Sequence, residues 1–122
     1  MPDNNYQLMT KRDLLNTVLT SSYKFDIETG KIFGQTGKRI IPYPNDEGHL
    51  FVRIYWKGKR KACAVHRLIW MAATRSSIPE GFEVHHRDND TSHNPFYNLM
   101  CVHKMDHDKF HKEHFEENDV PF

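Results

Sequence analysis

Hydrophobic positions along this chain change their period several times, and each change marks an element. In residues 10–20, Leu14, Leu15, Val18 and Leu19 recur at helical spacing. Thr10 can cap the first turn and Asp13, three residues on, can answer it, so a short amphipathic helix is predicted. From Tyr23 to Phe33 two alternating runs flank Glu28-Thr29-Gly30, which predicts a β-hairpin with Gly30 at positive φ. A turn-rich stretch, 34–48, follows. Residues 49–56 then place Leu50, Val52, Ile54 and Trp56 on one face of a strand, and a turn at Lys57-Gly58-Lys59 returns the chain along a second strand from Arg60 to Val65. HRLIWMAA reads as an apolar helix closed by Thr74-Arg75-Ser76-Ser77 and Pro79. Gly81 opens a strand, FEVHH. A polar loop, RDNDTSHNPF, leads to a second strand over 98–102, and MDHDKFHKEHFEE over 105–117 has the pattern of a closing helix. The order across 81–117 is therefore strand, loop, strand, helix.

With 122 residues the chain can bury one core without disulfide staples, and two large domains are excluded. The expected fold class is α+β, a single compact domain whose residues 1–80 hold the short helix and β-hairpins and whose residues 81–117 hold the strand-loop-strand-helix unit. Apolar residues at 38% and charged residues at 27% suit a globular protein rather than a disordered one. No apolar run nears the ~20 residues that cross a bilayer, and MPDNNYQLMTKRD lacks the plan of a signal peptide, so no membrane partner and a cytoplasmic location are expected. Cys63 and Cys101 stand in no C-x-x-C spacing and read as buried small apolar residues.

Net charge is only +1, which on its face argues against a nucleic-acid partner. The average hides a division. Residues 51–75 carry seven basic side chains (Arg53, Lys57, Lys59, Arg60, Lys61, Arg67, Arg75) and no acid, whereas 106–122 carry six acids against two lysines. The basic hairpin residues Arg53, Lys57, Lys59, Arg60 and Lys61, with Arg67, are expected to face a phosphate backbone as a group; the plainer reading is a solvated hairpin tip.

Nine histidines, eight of them between His66 and His114, ask for a chemical reason. His107 and His111 lie four apart on the predicted closing helix, the spacing of paired metal ligands on one helix face. His85 and His86 are neighbours on a strand and point to opposite sides, so one can face the helix while the other points outward at a substrate, dividing a ligand role from a base role. Asp88, Asn89 and Asn94 can bond backbone amides and fix the loop, and Asp88 and Asn94, like Glu83, are expected to support the residues of the site from behind. Glu83 divides between supporting a ligand histidine and plain strand surface. His49, His93, His103 and His114 read as ordinary surface or core histidines, and His66, opening its helix, as structural.

Glu83-Val84-His85-His86, then Asn98-Leu99 twelve residues after His86, then His107-x-x-x-His111, resembles the HNH endonuclease motif with its ββα-metal finger. VHHRDNDTSHNPFYNL resembles the loop of phage and intron members, and the His-His opening and H-x-x-x-H close resemble nuclease colicins. FDIETGKIF and AVHRLIW resemble segments that precede the motif in small phage proteins, so the resemblance spans Phe25 to His111. It implies a phage-encoded or homing-type, metal-dependent endonuclease or nickase acting on double-stranded DNA in a bacterial host, leaving 5′-phosphate and 3′-hydroxyl ends. By the same resemblance His86 is the general base, Asn98 the structural residue tying the loop to the second strand, His85 and His107 metal ligands and His111 a further ligand. Neutral imidazole suits deprotonation of a water near neutral pH. Asn89 stands where the family has Gly, Pro95 replaces the usual Arg, leaving Arg87 or Arg67 to supply the phosphate contact, and His85 stands where many relatives carry Asp. One divalent ion is implied, Mg, Mn, Zn or Ni, with an all-imidazole set favouring the softer ions over Mg. The alternative is a zinc-stabilised, non-catalytic nucleic-acid-binding module, which needs four protein ligands where catalysis needs an open position. A monomer nicks one strand; a homodimer would cut both.

Overall fold

The structure, a computed structural model, describes residues 9–105. Its elements are α1 (Lys11–Thr20), β1 (Lys24–Asp26), β2 (Lys31–Phe33), β3 (Tyr43–Pro44), β4 (Leu50–Trp56), β5 (Lys59–Ala64), α2 (Val65–Thr74), β6 (Phe82–His86), a single 3₁₀ turn (Phe96–Asn98) and β7 (Leu99–His103). The strands form three small antiparallel sheets, β1-β2, β3-β4-β5 and β6-β7. This is the α+β class expected. The predicted closing helix falls from residue 106 onward outside the described residues, and His107, His111 and His114 with it.

Local chemistry explains most of the boundaries. Thr10 Oγ1 accepts from the Asp13 amide at 3.1 Å while Asp13 Oδ2 accepts from the Thr10 amide at 3.0 Å, the reciprocal cap anticipated for α1. Gly30 takes φ +79° at the end of the β1-β2 turn. Trp56 pairs with Lys59, so the β4-β5 turn is the two residues Lys57 and Gly58, both at positive φ, which matches the right-handed twist of the strands they join. The strand β3 was not expected: Tyr43 and Pro44 pair with Phe51 and Leu50 as an edge, where Pro44 is tolerated. Helix α2 begins at Val65, one residue before the predicted start, and ends where Arg75 turns left-handed at φ 57°.

One apolar cluster runs from Val18 to Leu99. Helix α2 lies at its centre: Leu68 and Ile69 are fully buried, and the helix packs against α1, β1, β4, β5, β6 and β7. Each such side chain contributes about 1.5–3 kcal/mol of burial. Cys63 is buried as expected; Cys101 is only half-buried, at the margin of the same cluster. Among the described residues no helix is long and apolar enough to cross a membrane.

Candidate active site

The site is built on β6, β7 and the loop between them, laid across the amino end of α2. Antiparallel register sets His86 opposite Leu99 and His85 opposite Met100. The two histidines take opposite sides of the strand, and the structure supplies which faces where: His86 is turned inward, only 4% exposed, and His85 is half-buried. Both line a groove of about 970 Å³ together with His49, Lys61, His66, Arg67, Glu83 and Asn89.

The loop is held by a dense set of bonds. Asn98, buried at 5% exposure, donates from Nδ2 to Asp88 Oδ1 (2.9 Å) and to the His93 carbonyl (2.8 Å), while its own carbonyl accepts from the Arg87 amide (2.7 Å). Asp88 also accepts from the Asp90 amide and from His93 Nδ1, at 2.9 and 2.7 Å. These donors, Asn98 first, hold its carboxyl down at about 2. Asn89 turns left-handed at φ 63°, the conformation that lets Asn stand in for Gly, and its amide donates to the His86 carbonyl at 3.1 Å. The loop is anchored outward as well: Phe96 N donates to the Ile27 carbonyl at 2.8 Å and Thr91 Oγ1 to the Gly48 carbonyl at 2.9 Å.

Asn94, expected to support the site, does so through a side chain. Rather than bonding a backbone amide, its Oδ1 accepts from His86 Nε2 at 2.6 Å, with both side chains buried. A ring that donates from Nε2 keeps its lone pair on Nδ1, so Asn94 fixes both the orientation and the tautomer of His86. Burial lowers the His86 pKa, with the Asn94 bond opposing that shift, and the ring is neutral at pH 7.

Two further histidines meet His86, neither of them expected in the site. The His66 ring lies 4.9 Å and the His49 ring 5.9 Å from it, centroid to centroid, and His49 and His66 are 5.3 Å apart. Burial, then the neighbouring His86 and His49, push the His66 pKa down to about 3. The available signal was the position of His66 at the start of a helix that follows the β4-β5 hairpin; nothing in the spacing brought His49 to the same place.

The basic residues do not act as the single face expected. Register places Tyr55 opposite Arg60 and Arg53 opposite Ala62 on the outer face of the β4-β5 hairpin, where the Arg53 guanidinium stacks on Tyr43 (4.6 Å) and Arg60 on Tyr55 (5.5 Å). Lys59 and Lys61 alternate to the other side, with Lys61 over Trp56 at 5.9 Å. Of the set, Lys61 and Arg67 line the groove; Arg53, Lys57, Lys59, Arg60 and Arg87 do not. Pro95, where the resemblance led one to look for Arg, is buried at the start of the 3₁₀ turn.

Residues 63–109 match the family model described as HNH endonuclease. Over this segment the chain is similar to HNH endonucleases. A solved structure of the HNH homing endonuclease I-HmuI, described in terms of DNA binding and cleavage, has the same fold with a TM-score of 0.61 at 24% identity. The match covers 75% of this chain and 58% of that one, so the chain spans little more than half the length of the homing enzyme. No curated protein matches the chain. HNH nucleases generally use a divalent cation. Among the described residues no three His, Cys, Asp or Glu side chains are placed to hold a metal ion, the His49, His66 and His86 trio included. His85 supplies one imidazole donor facing the groove; the other donors implied by the family pattern, His107 and His111, lie outside the described residues.

Proposed function

We propose that the protein is a metal-dependent endonuclease or nickase that hydrolyses phosphodiester bonds of double-stranded DNA, with His86 as general base. The observation that carries this reading is the His86–Asn94 pair: a buried, neutral imidazole held at 2.6 Å with its lone pair on Nδ1, beside a groove edged by Lys61 and Arg67, within a segment matched to HNH endonucleases. Nδ1 takes the proton of the attacking water, and the charge that the ring gains is shared through Nε2 with the Asn94 carbonyl oxygen. Lys61 and Arg67, basic side chains on the groove, hold backbone phosphates against it. Asn98 and Asp88 keep the loop closed so that Asn94 stays where His86 needs it. His85 with His107 and His111 would hold one divalent ion (Mg, Mn, Zn or Ni). That ion, when bound, supplies positive charge for the departing 3′ oxygen.

A plasmid-nicking assay with each of the four metals, run beside His86→Ala, tests the reading. Wild type converts supercoiled plasmid to open circles with at least one metal, and His86→Ala slows this by about 10²–10⁴-fold. No cutting with any metal, or equal cutting by the variant, would overturn it.

A further inference from the structure

Two features at the amino end of α2 have no part in the proton transfer. The first is the end itself. Ala64, at the cap position, has no side chain to bond the first turn, and no acidic residue stands in that turn. Among the described residues the first-turn amides therefore carry the partial positive charge of the helix without a side-chain cap, and Ala64, His66 and Arg67 all line the groove. The second feature is His66. It is only 9% exposed, and its Nδ1 is buried with no hydrogen-bond partner among the described residues.

An orphaned buried N–H is rarer and costlier than an orphaned lone pair, so the proton of the neutral ring belongs on Nε2. That leaves His66 with a sealed acceptor on one side and a donor for the groove on the other. The ring stays uncharged well below neutral pH, because burial and two neighbouring imidazoles oppose protonation. It therefore donates a hydrogen bond without competing with His86 for a proton. Acids also border the groove, Glu83 on β6 and Glu47, whose Oε1 lies 3.6 Å from His49 Nδ1; neither stands in the first turn of α2.

We propose that His66, the first-turn amides of α2 and Arg67 form a phosphate-binding subsite beside His86, in which neutral His66 donates to a non-bridging phosphate oxygen. The ligand class is the phosphate group. Its source in the reaction is the DNA backbone at or next to the scissile bond, and that part rests on the function proposed above.

The test is an amide-shift titration of the labelled full chain without added metal, using inorganic phosphate in one arm and a short DNA duplex with EDTA in the other. It is run on wild type, His66→Leu, which fills the ring's space without a donor, and His66→Gln, which keeps one. The amides of Val65, His66 and Arg67 shift saturably in both arms. His66→Leu weakens phosphate binding about tenfold, the worth of one hydrogen bond to a charged group, while His66→Gln stays within about threefold. Nicking by His66→Leu falls about 10²-fold, as when one preorganised donor to a developing oxyanion is lost. A merely structural His66 predicts the opposite pattern: the Leu variant, freed of an orphaned nitrogen, melts no lower than wild type and binds and cuts normally. That result overturns the proposal. So does the absence of shifts at these amides in wild type, which holds even if the Leu variant fails to fold, and so does an adventitious ion only, with shifts from phosphate but none from the duplex. Failure of wild type to nick plasmid would instead remove the nuclease reading and leave the phosphate subsite standing.

Discussion

The β1-β2 turn presses on the site from behind, and one methyl group added there should disturb it measurably. Gly30, at φ +79°, sits so close to Asn94 that a Cβ would lie 2.5 Å from the Asn94 carbonyl carbon and 2.6 Å from its oxygen. Ordinary carbon contacts are ~3.5–4.0 Å, so Gly30→Ala requires the turn or the loop to retreat by about 1 Å. Asn94 Oδ1 accepts from His86 Nε2 at 2.6 Å. A retreat of that size borne by the loop takes the pair to about 3.6 Å, beyond a hydrogen bond. Left-handed backbone costs alanine about 1–2 kcal/mol, and two buried polar groups parted from each other cost about 1–3 kcal/mol more. The sum, about 2–5 kcal/mol, lowers Tm by about 10 °C or more in a domain of this size. Gly37 provides the control. Its φ is +84°, nearly the same, but a Cβ there meets nothing within 4 Å. Gly37→Ala should therefore lose only the backbone share, about 1–2 kcal/mol, and nick plasmid at the wild-type rate. Differential scanning calorimetry and the nicking assay on both variants decide the matter. If the two melt together and cut equally well, the close approach of Gly30 does not hold Asn94 in place, and the account of how the hairpin supports His86 is wrong.

Other consequences can be measured in the same preparations. Asn94→Ala leaves His86 Nε2–H without its acceptor and should slow nicking about 10–100-fold while DNA affinity in EDTA stays unchanged. His66 is neutral when folded, with a pKa of about 3, and ordinary near 6.5 when unfolded, so the unfolded chain binds its proton more tightly. Stability from this group is complete above about pH 6.5 and drains away on acidification at up to about 1.4 kcal/mol per pH unit; denaturant midpoints from pH 7 to pH 4 should show that slope, and His66→Leu should remove it. Thr10→Ala breaks the reciprocal cap of α1, lowering stability by about 1 kcal/mol with no change in cutting, as thermal melts and the plasmid assay would show. Lys61→Gln with Arg67→Gln should weaken duplex binding and flatten its dependence on salt by about two phosphate contacts, more than Arg53→Gln with Arg60→Gln does; equal effects from the two pairs would place the duplex on the outer face of the sheet instead.

Much of this was legible in residue order because the deciding interactions are local. The Thr10/Asp13 cap, Gly30 at a turn, and the alternation of Leu50, Val52 and Ile54 each depend on a few neighbouring residues and a fixed period. Asn98 was legible for a different reason: its spacing from His86 matches a family pattern. Long-range facts were not legible. His49 and His66 are seventeen residues apart and reach each other because β4 and β5 fold back antiparallel, bringing the start of β4 and the end of β5 to the same end of the sheet. The inward turn of His86 was left open because alternation says that neighbours diverge without saying which one faces the core; the packing of Val84 against the apolar cluster settles it, since Val84 and His86 share a side of the strand. The division of the basic residues into two faces was implicit in the same alternation, which turns Arg60 away from Lys59 and Lys61; a count of charges carries no parity.

For the proposed function, that division bears on how a chain with almost no net charge could hold a polyanion and still move protons. The three imidazoles of the groove stand 4.9 to 5.9 Å apart, and three charged rings so near one another would repel strongly. Burial keeps His66 and His86 neutral, so positive charge in the groove comes from other sources: Lys61, Arg67 and the amino end of α2. Holding the phosphate and taking the proton are thus assigned to different groups. A histidine that bound phosphate by its own charge would have no lone pair left for water; a lysine in place of His86 would hold its proton too tightly to act as a base. The same burial that lowers the basicity of His86 keeps its lone pair available, and the bond from Asn94 limits how far that basicity falls. The inward turn of His86 therefore serves as the means by which a neutral base is kept next to basic side chains.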